Sequence, residues 1–379
     1  VVRRVENPYR PGFNEPPKEL AGRETVIEDL REAIEIAALD GRTPRPTLLA
    51  GARGVGKTVL LAEAGAIAGS RFGWPRVHVE MRPQTPFTSD LIDAIGRAHE
   101  LLEQAPTKRA LRAESVTVRA GLPGIEGEVR FARAVEADPT PTLRPALTAL
   151  AERTTRLGCG VVLTLDEVHL AARRELAALA ALLQEGTGER WPFVVVLAGL
   201  PLMRAPEHSV TYLERGAWHE LGMLSREDTV RALRLPAQAA ARPMDEEAAL
   251  ILAEASGGYP FAVQLYGHYA WRASTGHDTI DATAANAALP RAHQELERGL
   301  YASRWTAASP SQKRYLAGLA TVAATRAHTT ARAVADELGR TPKQLSSVRD
   351  ELIKQGTLTV EGDELRFTIP GMSAFVLTR

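Results

Sequence analysis

The chain has 379 residues, 45% hydrophobic and 24% charged, with 46 Lys/Arg matched by 46 Asp/Glu. These are ordinary proportions for a globular protein of two or three domains. No apolar run approaches the ~18 residues of a membrane span, and the N-terminal VVRRVENPYRPGF lacks the apolar core of a secretory signal. The nine histidines show no ligand spacing, and the single cysteine, Cys159, permits no internal disulfide, which suits a reducing cytoplasm.

In chain order, residues 1–21 are rich in proline and turn formers and predict an extended arm. GRETVIEDLREAIEIAAL (22–39) places Val26, Ile27, Leu30 and Ile34 at helical spacing. RPTLLAG reads as a short buried strand, GKTVLLAEAGAIAG as a helix stopping near Gly69, and VHVEM (77–81) as a second strand. SDLIDAIGRAHELLEQA predicts a helix capped by Ser89 or Asp90. SVTVRAGLPGIEGEVRF (115–131) reads as a hairpin, TLRPALTALAERTTRLG as a helix, and GVVLTLDE (160–167) as an apolar strand ending in two acids. A helix (ELAALAALLQEG) and another buried strand, FVVVLAG (193–199), follow. Alternating helices and doubly apolar strands predict a parallel sheet covered on both faces. After about residue 225 the strand signal disappears, and 226–295 predicts a small helical domain. The end of the chain predicts three capped helices and a hairpin, TLTVEGDELRFTI (357–369). Residues 296–379 hold twelve Lys/Arg against eight Asp/Glu, a balance of +4, while the remainder is −4. A basic end hints at an anionic partner.

Two motifs carry chemistry. Gly51-Ala52-Arg53-Gly54-Val55-Gly56-Lys57-Thr58, followed by Val59, is a full G-x-x-x-x-G-K-T match between a predicted strand and a predicted helix. Such a loop turns backbone N–H groups inward, and the helix adds its positive N-terminal end, so the pair suits phosphate. Lys57 is expected to reach the β/γ-phosphates of a nucleoside triphosphate, and the Thr58 hydroxyl to hold Mg2+. Asp166 and Glu167 close an apolar strand, where an acid meets Mg2+ in proteins with this loop. Asp166 is the expected metal partner, and Glu167 the general base that polarises water. Phosphate is thus expected to pass to water.

These motifs resemble the AAA+ ATPases over nearly the whole chain. AGRETVIEDL is similar to the Gly-Arg-Glu box of initiator-type modules, and LDEVHLAAR to their second motif. VVVLAGLPLM followed by YLERGAWHELGML resembles the stretch running from the fourth strand through an arginine-containing box to a fifth strand. The resemblance implies Arg215 as an arginine finger acting on the ATP of a neighbouring copy, with Arg204 and Arg226 as nearby alternatives. It also implies self-association. Two departures stand out. Gly199 occupies the place where many members put a polar sensor residue. SGGYPFAVQLYG (256–267) resembles the Gly-x-Pro element of the signal-transducing ATPases with numerous domains, which implies Pro260 as a nucleotide contact besides an ordinary first-turn helix proline.

The C-terminal segment resembles a winged helix. TPKQLSSVRDELIKQG would be its recognition helix, with Lys343, Gln344, Ser346, Ser347 and Arg349 facing outward to DNA. The wing, at Glu361–Glu364, is acidic, which counts against a phosphate contact there. The expected architecture is therefore α/β: a P-loop NTPase core with a parallel sheet (22–225), a helical lid domain (226–295) and a winged-helix domain (296–379). The expected protein is cytoplasmic, binds ATP/ADP with Mg2+, hydrolyses ATP slowly and couples nucleotide state to DNA binding. Two other readings stay open: a nucleotide-controlled signalling switch acting on protein partners, and a transcriptional regulator with poor turnover. The missing polar sensor and the GGYP element favour a switch over a fast motor.

Overall fold

A computed structural model describes residues 6–12, 17, 19–83, 85–104, 117–119, 140–204 and 210–379. The chain divides into two compact units. One holds Arg23–Gly51 and Lys57–Leu221. The other holds Val1–Gly22, Ala52–Gly56 and Gly222–Arg379.

The first unit is built on α1 (Glu24–Leu39), β1 (Thr47–Gly51), α2 (Lys57–Phe72), β2 (Arg76–Glu80), α3 (Phe87–Gln104) and β3 (Thr117–Arg119). It continues with α4 (Thr140–Leu157), β4 (Val161–Asp166), α5 (Arg173–Gly188), β5 (Phe193–Gly199), α6 (Thr211–Glu214) and β6 (Ala217–Leu221). The strands form one parallel sheet in the order β3-β2-β4-β5-β1-β6. Every residue of β1, β4 and β5 is buried, as doubly covered parallel strands require. Each such Val or Leu contributes about 1.5–3 kcal/mol by leaving water. β1 lies between β5 and β6, whereas the next strand in sequence, β2, lies beyond β5 and β4. The loop after β1 therefore emerges at the carboxyl end of the sheet, where such folds bind ligands.

Several sequence expectations need correction. α2 does not stop at Gly69 but runs to Phe72. It ends at Gly73, whose φ of +70° suits glycine and whose N–H bonds the Gly69 carbonyl at 2.9 Å. Gly69 is buried against neighbours instead. α3 starts at Phe87, ahead of Ser89 and Asp90, because the Thr88 N–H finds its acceptor in Glu175 (3.2 Å) and needs no cap from within the segment. Of the hairpin expected at 115–131, only 117–119 lie among the described residues, and they pair parallel to β2.

The second unit opens with four helices: α7 (Arg226–Ala239), α8 (Glu246–Ser256), α9 (Pro260–Ala273) and α10 (Ala282–Leu296). Ser225 and Asp281 cap α7 and α10 through their side chains. α10 passes through one π turn, Glu297–Tyr301, directly into α11 (Ala302–Ala307), so the helical run crosses residue 296 without a loop. Then come α12 (Pro310–Thr325), α13 (Ala331–Glu337), α14 (Pro342–Lys354), the antiparallel pair β7 (Leu358–Glu361) and β8 (Glu364–Phe367), and α15 (Met372–Leu377). Capping boxes start α12 at Ser309/Gln312 and α14 at Thr341/Gln344. One apolar core joins α7–α10 to these elements, through Leu265, Tyr301, Leu316, Leu352 and Phe375 among others. Tyr301 donates to the Pro370 carbonyl at 2.6 Å. Tyr9 of the N-terminal segment is buried in the same core. No helix among the described residues is long and apolar enough to cross a membrane, and Cys159 is buried and forms no disulfide.

Candidate nucleotide-binding site

The loop after β1 has the backbone that its glycines allow. Gly54 and Gly56 take φ of +78° and +97°, the left-handed region where other residues are strained. A Cβ on Gly56 would meet nothing within 4 Å, so the loop keeps open space beside it. Lys57 begins α2 buried, and its ammonium donates to the Gly51 carbonyl at 2.9 Å, across the turn of the loop. Ala52, Arg53 and Val59 are half-buried and Val55 is fully buried, anchoring the loop.

Thr58, on the first turn of α2, donates through its hydroxyl to Asp166 Oδ2 at 2.6 Å. β4 carries Asp166 there, and the Met81 N–H holds its backbone carbonyl at 3.0 Å, extending the ladder to β2. The other carboxylate oxygen accepts the Glu167 N–H at 2.8 Å. Burial pushes the Asp166 carboxyl above the usual carboxylate range. The hydrogen bonds from Thr58 and the Glu167 N–H oppose that rise, as does the charge of Lys57. The two motifs thus meet in space, hydroxyl to carboxylate.

The donor set suits Mg2+ and a triphosphate. Mg2+ takes one or two protein oxygens and completes its shell with phosphate and water. Thr58 and Asp166 supply such oxygens, and no group of three or more His, Cys, Asp or Glu able to hold a metal occurs among the described residues. The Lys57 charge and the N-terminus of α2 are of the kind that suits phosphate.

Glu167 departs from ordinary backbone geometry. It sits at φ 53°, ψ 36°, left-handed for a residue with a side chain, just before the 3-10 turn Val168–Leu170. Such a conformation costs on the order of 1–3 kcal/mol and persists where the surroundings impose it. It brings the Glu167 carboxylate within 3.3 Å of His169 Nε2.

In the second unit, Tyr259 is the N-cap of α9 and Pro260 its first residue, half-buried. The buried Tyr259 hydroxyl donates to the Arg53 carbonyl at 3.2 Å and lies against Gly54, where a Cβ would sit 1.9 Å from it. Burial pushes its pKa up to about 12, so it stays a donor at neutral pH. Sequence reasoning selects Pro260 and passes over its neighbour. The GGYP element carries the signal, since a tyrosine after two left-handed glycines (Gly257 and Gly258) is held by the turn itself.

The remaining expected residues are dispersed. Arg215 is exposed between α6 and β6, and Arg226 is exposed at the start of α7. Arg204 closes a 3-10 turn, Pro201–Arg204. On α14, Lys343 and Ser347 are exposed. Gln344 is already engaged, its carbonyl oxygen accepting the Thr341 N–H at 2.9 Å. Arg349 is neutralised by Asp350 through two contacts at 2.8 and 2.9 Å.

Residues 19–196 match the family profile of the AAA ATPase domain, and residues 298–376 match that of a domain of unknown function. No curated protein sequence matches the chain. Among solved structures, a Walker-type ATPase of Pyrococcus abyssi is similar with a TM-score of 0.63 at 16% identity, over 95% of this chain and 97% of the other. The ORC2 protein of Aeropyrum pernix, solved with ADPNP and ADP, gives 0.62 at 14% identity, over 99% and 96%. Cdc6p from Pyrobaculum aerophilum gives 0.50 at 15%, over 97% and 96%. At these identities the likeness is one of fold. Together with the domain match, it makes the chain a P-loop ATPase in architecture and supports nucleotide binding.

Proposed function

We propose that the chain binds ATP with Mg2+ at Gly51–Val59, hydrolyses it slowly to ADP and phosphate, and uses the nucleotide state to set the arrangement of its domains within a cytoplasmic oligomer. The observation that carries this reading is the 2.6 Å contact from Thr58 to Asp166, which joins the loop motif to the acidic strand end. Lys57 offers a compact positive charge to the terminal phosphates. Thr58 and Asp166 hold the metal's oxygen shell, and bound Mg2+ neutralises charge on the phosphate oxygens. Glu167 takes the proton of the attacking water. Pro260 stands as a second nucleotide contact, and Arg215 as the group that a neighbouring copy receives.

The test combines binding and turnover. Lys57→Ala should lose most ATP affinity, whereas Glu167→Gln should bind ATP and fail to hydrolyse it, because an amide cannot accept the proton. For wild type, the rate per chain should rise with protein concentration, and Arg215→Ala should flatten that rise. Normal binding by Lys57→Ala, or normal turnover by Glu167→Gln, would remove this reading of the loop or the acid.

The order of the C-terminal elements, three helices and then a hairpin, supports a winged helix, and we assign DNA as its ligand, read by Lys343, Gln344, Ser347 and Arg349. A second reading, a switch acting on a protein partner, is favoured by one specific set of observations. Gln344 is spent on capping, Arg349 is paired with Asp350, and the β7–β8 turn is acidic.

A further inference from the structure

His169 lies in the motif LDEVHL, and the G-K-T and D-E motifs assign it no role. Its side chain is 3% exposed, and it touches two elements at once. The backbone N–H of Leu200, just past β5, points at His169 Nδ1 from 3.3 Å. A backbone N–H can only donate, so Nδ1 is the acceptor, and the neutral ring carries its hydrogen on Nε2. That Nε2 stands 3.3 Å from Glu167 Oε2. Residues two apart on a helix do not face each other. Here they do, because Glu167 is left-handed and turns its side chain back over the following turn. The pair is at ion-pair distance without the alignment of a closed hydrogen bond, and Oε2 itself is buried with no aligned donor. The carboxylate therefore rests against the ring.

The place His169 fills is informative. A Cβ at Gly199 would come within 3.5 Å of His169 Nδ1, 3.4 Å of its backbone N and 3.1 Å of the Met203 sulfur. The imidazole therefore packs at van der Waals distance from the bare Cα of Gly199, at the end of β5. We propose that His169 is a positioning residue for Glu167: it fixes the carboxylate that activates water and ties it to the Gly199–Leu200 end of β5. The inference rests on Glu167 as the activating base.

The two ring nitrogens can be mimicked separately. Glutamine places its amide near the Nε2 position, whereas asparagine reaches only the Nδ1 position. His169→Gln should therefore keep turnover within about threefold of wild type. His169→Asn and His169→Phe should lose about tenfold or more in kcat, because a misplaced catalytic group costs rate steeply. ATP affinity should stay unchanged in all three. In the full-length protein, imidazole 15N shifts should show the Nε2–H tautomer, with Nε2 moving in Glu167→Gln. If wild type hydrolyses ATP and Glu167→Gln does not, yet His169→Phe turns over normally, this inference is overturned and the ATPase reading stands. Equal losses in His169→Gln and His169→Asn overturn it too, and that contrast decides should the phenylalanine variant fail to fold. A wild type without ATPase activity overturns both.

Discussion

Gly54 combines two demands that usually occur apart. Its φ of +78° suits only glycine without strain, and its missing side chain makes room for the Tyr259 hydroxyl. Gly41 provides a natural contrast, with φ +63° and nothing within 4 Å of the place a methyl would take. Gly41→Ala therefore bears backbone strain alone, on the order of 1–3 kcal/mol. Gly54→Ala bears that strain and must also displace a buried tyrosine that donates to Arg53. Denaturant unfolding should show the larger loss for Gly54→Ala, and nucleotide titration should show weakened ATP binding for that variant only. Equal losses in the two variants would mean that Tyr259 does not rest on the loop.

At the scale of elements, the N-terminal segment shows how a stretch without helix or strand can still be held. Asn7 donates its amide to His268 Nδ1 at 3.0 Å and to the His268 carbonyl at 3.2 Å, and the Arg10 N–H reaches Gln264 at 3.1 Å. Tyr9 donates to the Leu233 carbonyl. These contacts dock the segment on α9 and α7. Burial lowers the His268 pKa and outweighs a bond to the Tyr9 backbone, which raises it; Arg272 adds to the lowering and Glu295 opposes it, and the Asn7 bond needs Nδ1 unprotonated. The folded form therefore holds this histidine neutral, whereas the unfolded chain titrates near ~6.5. The stabilisation is present above that value and is lost as pH falls through the lower folded pKa. Melting temperature should fall as pH drops below about 6.5, and His268→Gln should make that fall shallower; an unchanged slope would discount the contact. Sequence patterning predicts an extended segment here from its prolines, but not its docking. Asn7 and His268 are 261 positions apart, and local periodicity carries no information on such pairs. The same limit applies to Glu167 and His169. Both are visible in the D-E-V-H stretch, but their approach depends on a left-handed backbone angle that composition does not announce. By contrast, the loop, Asp166 and the apolar strands are legible, because each rests on a local pattern: glycine spacing, a strand-end acid, an unbroken run of Val and Leu. The end of α2 is misplaced for a related reason: Gly69 and Gly73 look alike in sequence, and only the latter takes positive φ.

At the scale of the whole molecule, the open question is what the C-terminal helices meet. Binding to DNA through phosphates releases counterions, so log K falls with log salt at about 0.9 per phosphate contacted. The +4 balance of residues 296–379 gives little to work with, and pairing of Arg349 with Asp350 removes one expected contact. Exposed Lys343, Arg332, Arg340 and Lys354 remain. One copy should then contact only about two to four phosphates, giving weak binding and a shallow salt slope. An oligomer would multiply those contacts through linked sites. A titration of the full chain against duplex DNA, with ATP and with ADP at two salt concentrations, separates the cases. DNA as ligand predicts tighter binding and a steeper slope in the nucleotide state that assembles, and a marked loss in Lys343→Glu. ATP hydrolysis should survive that substitution, since Lys343 belongs to none of the catalytic groups. Absence of binding at low salt with either nucleotide would turn the assignment to a protein partner. Gln344 and Arg349 would then be held ready by their present bonds as parts of a contact surface, with charge subordinate to shape.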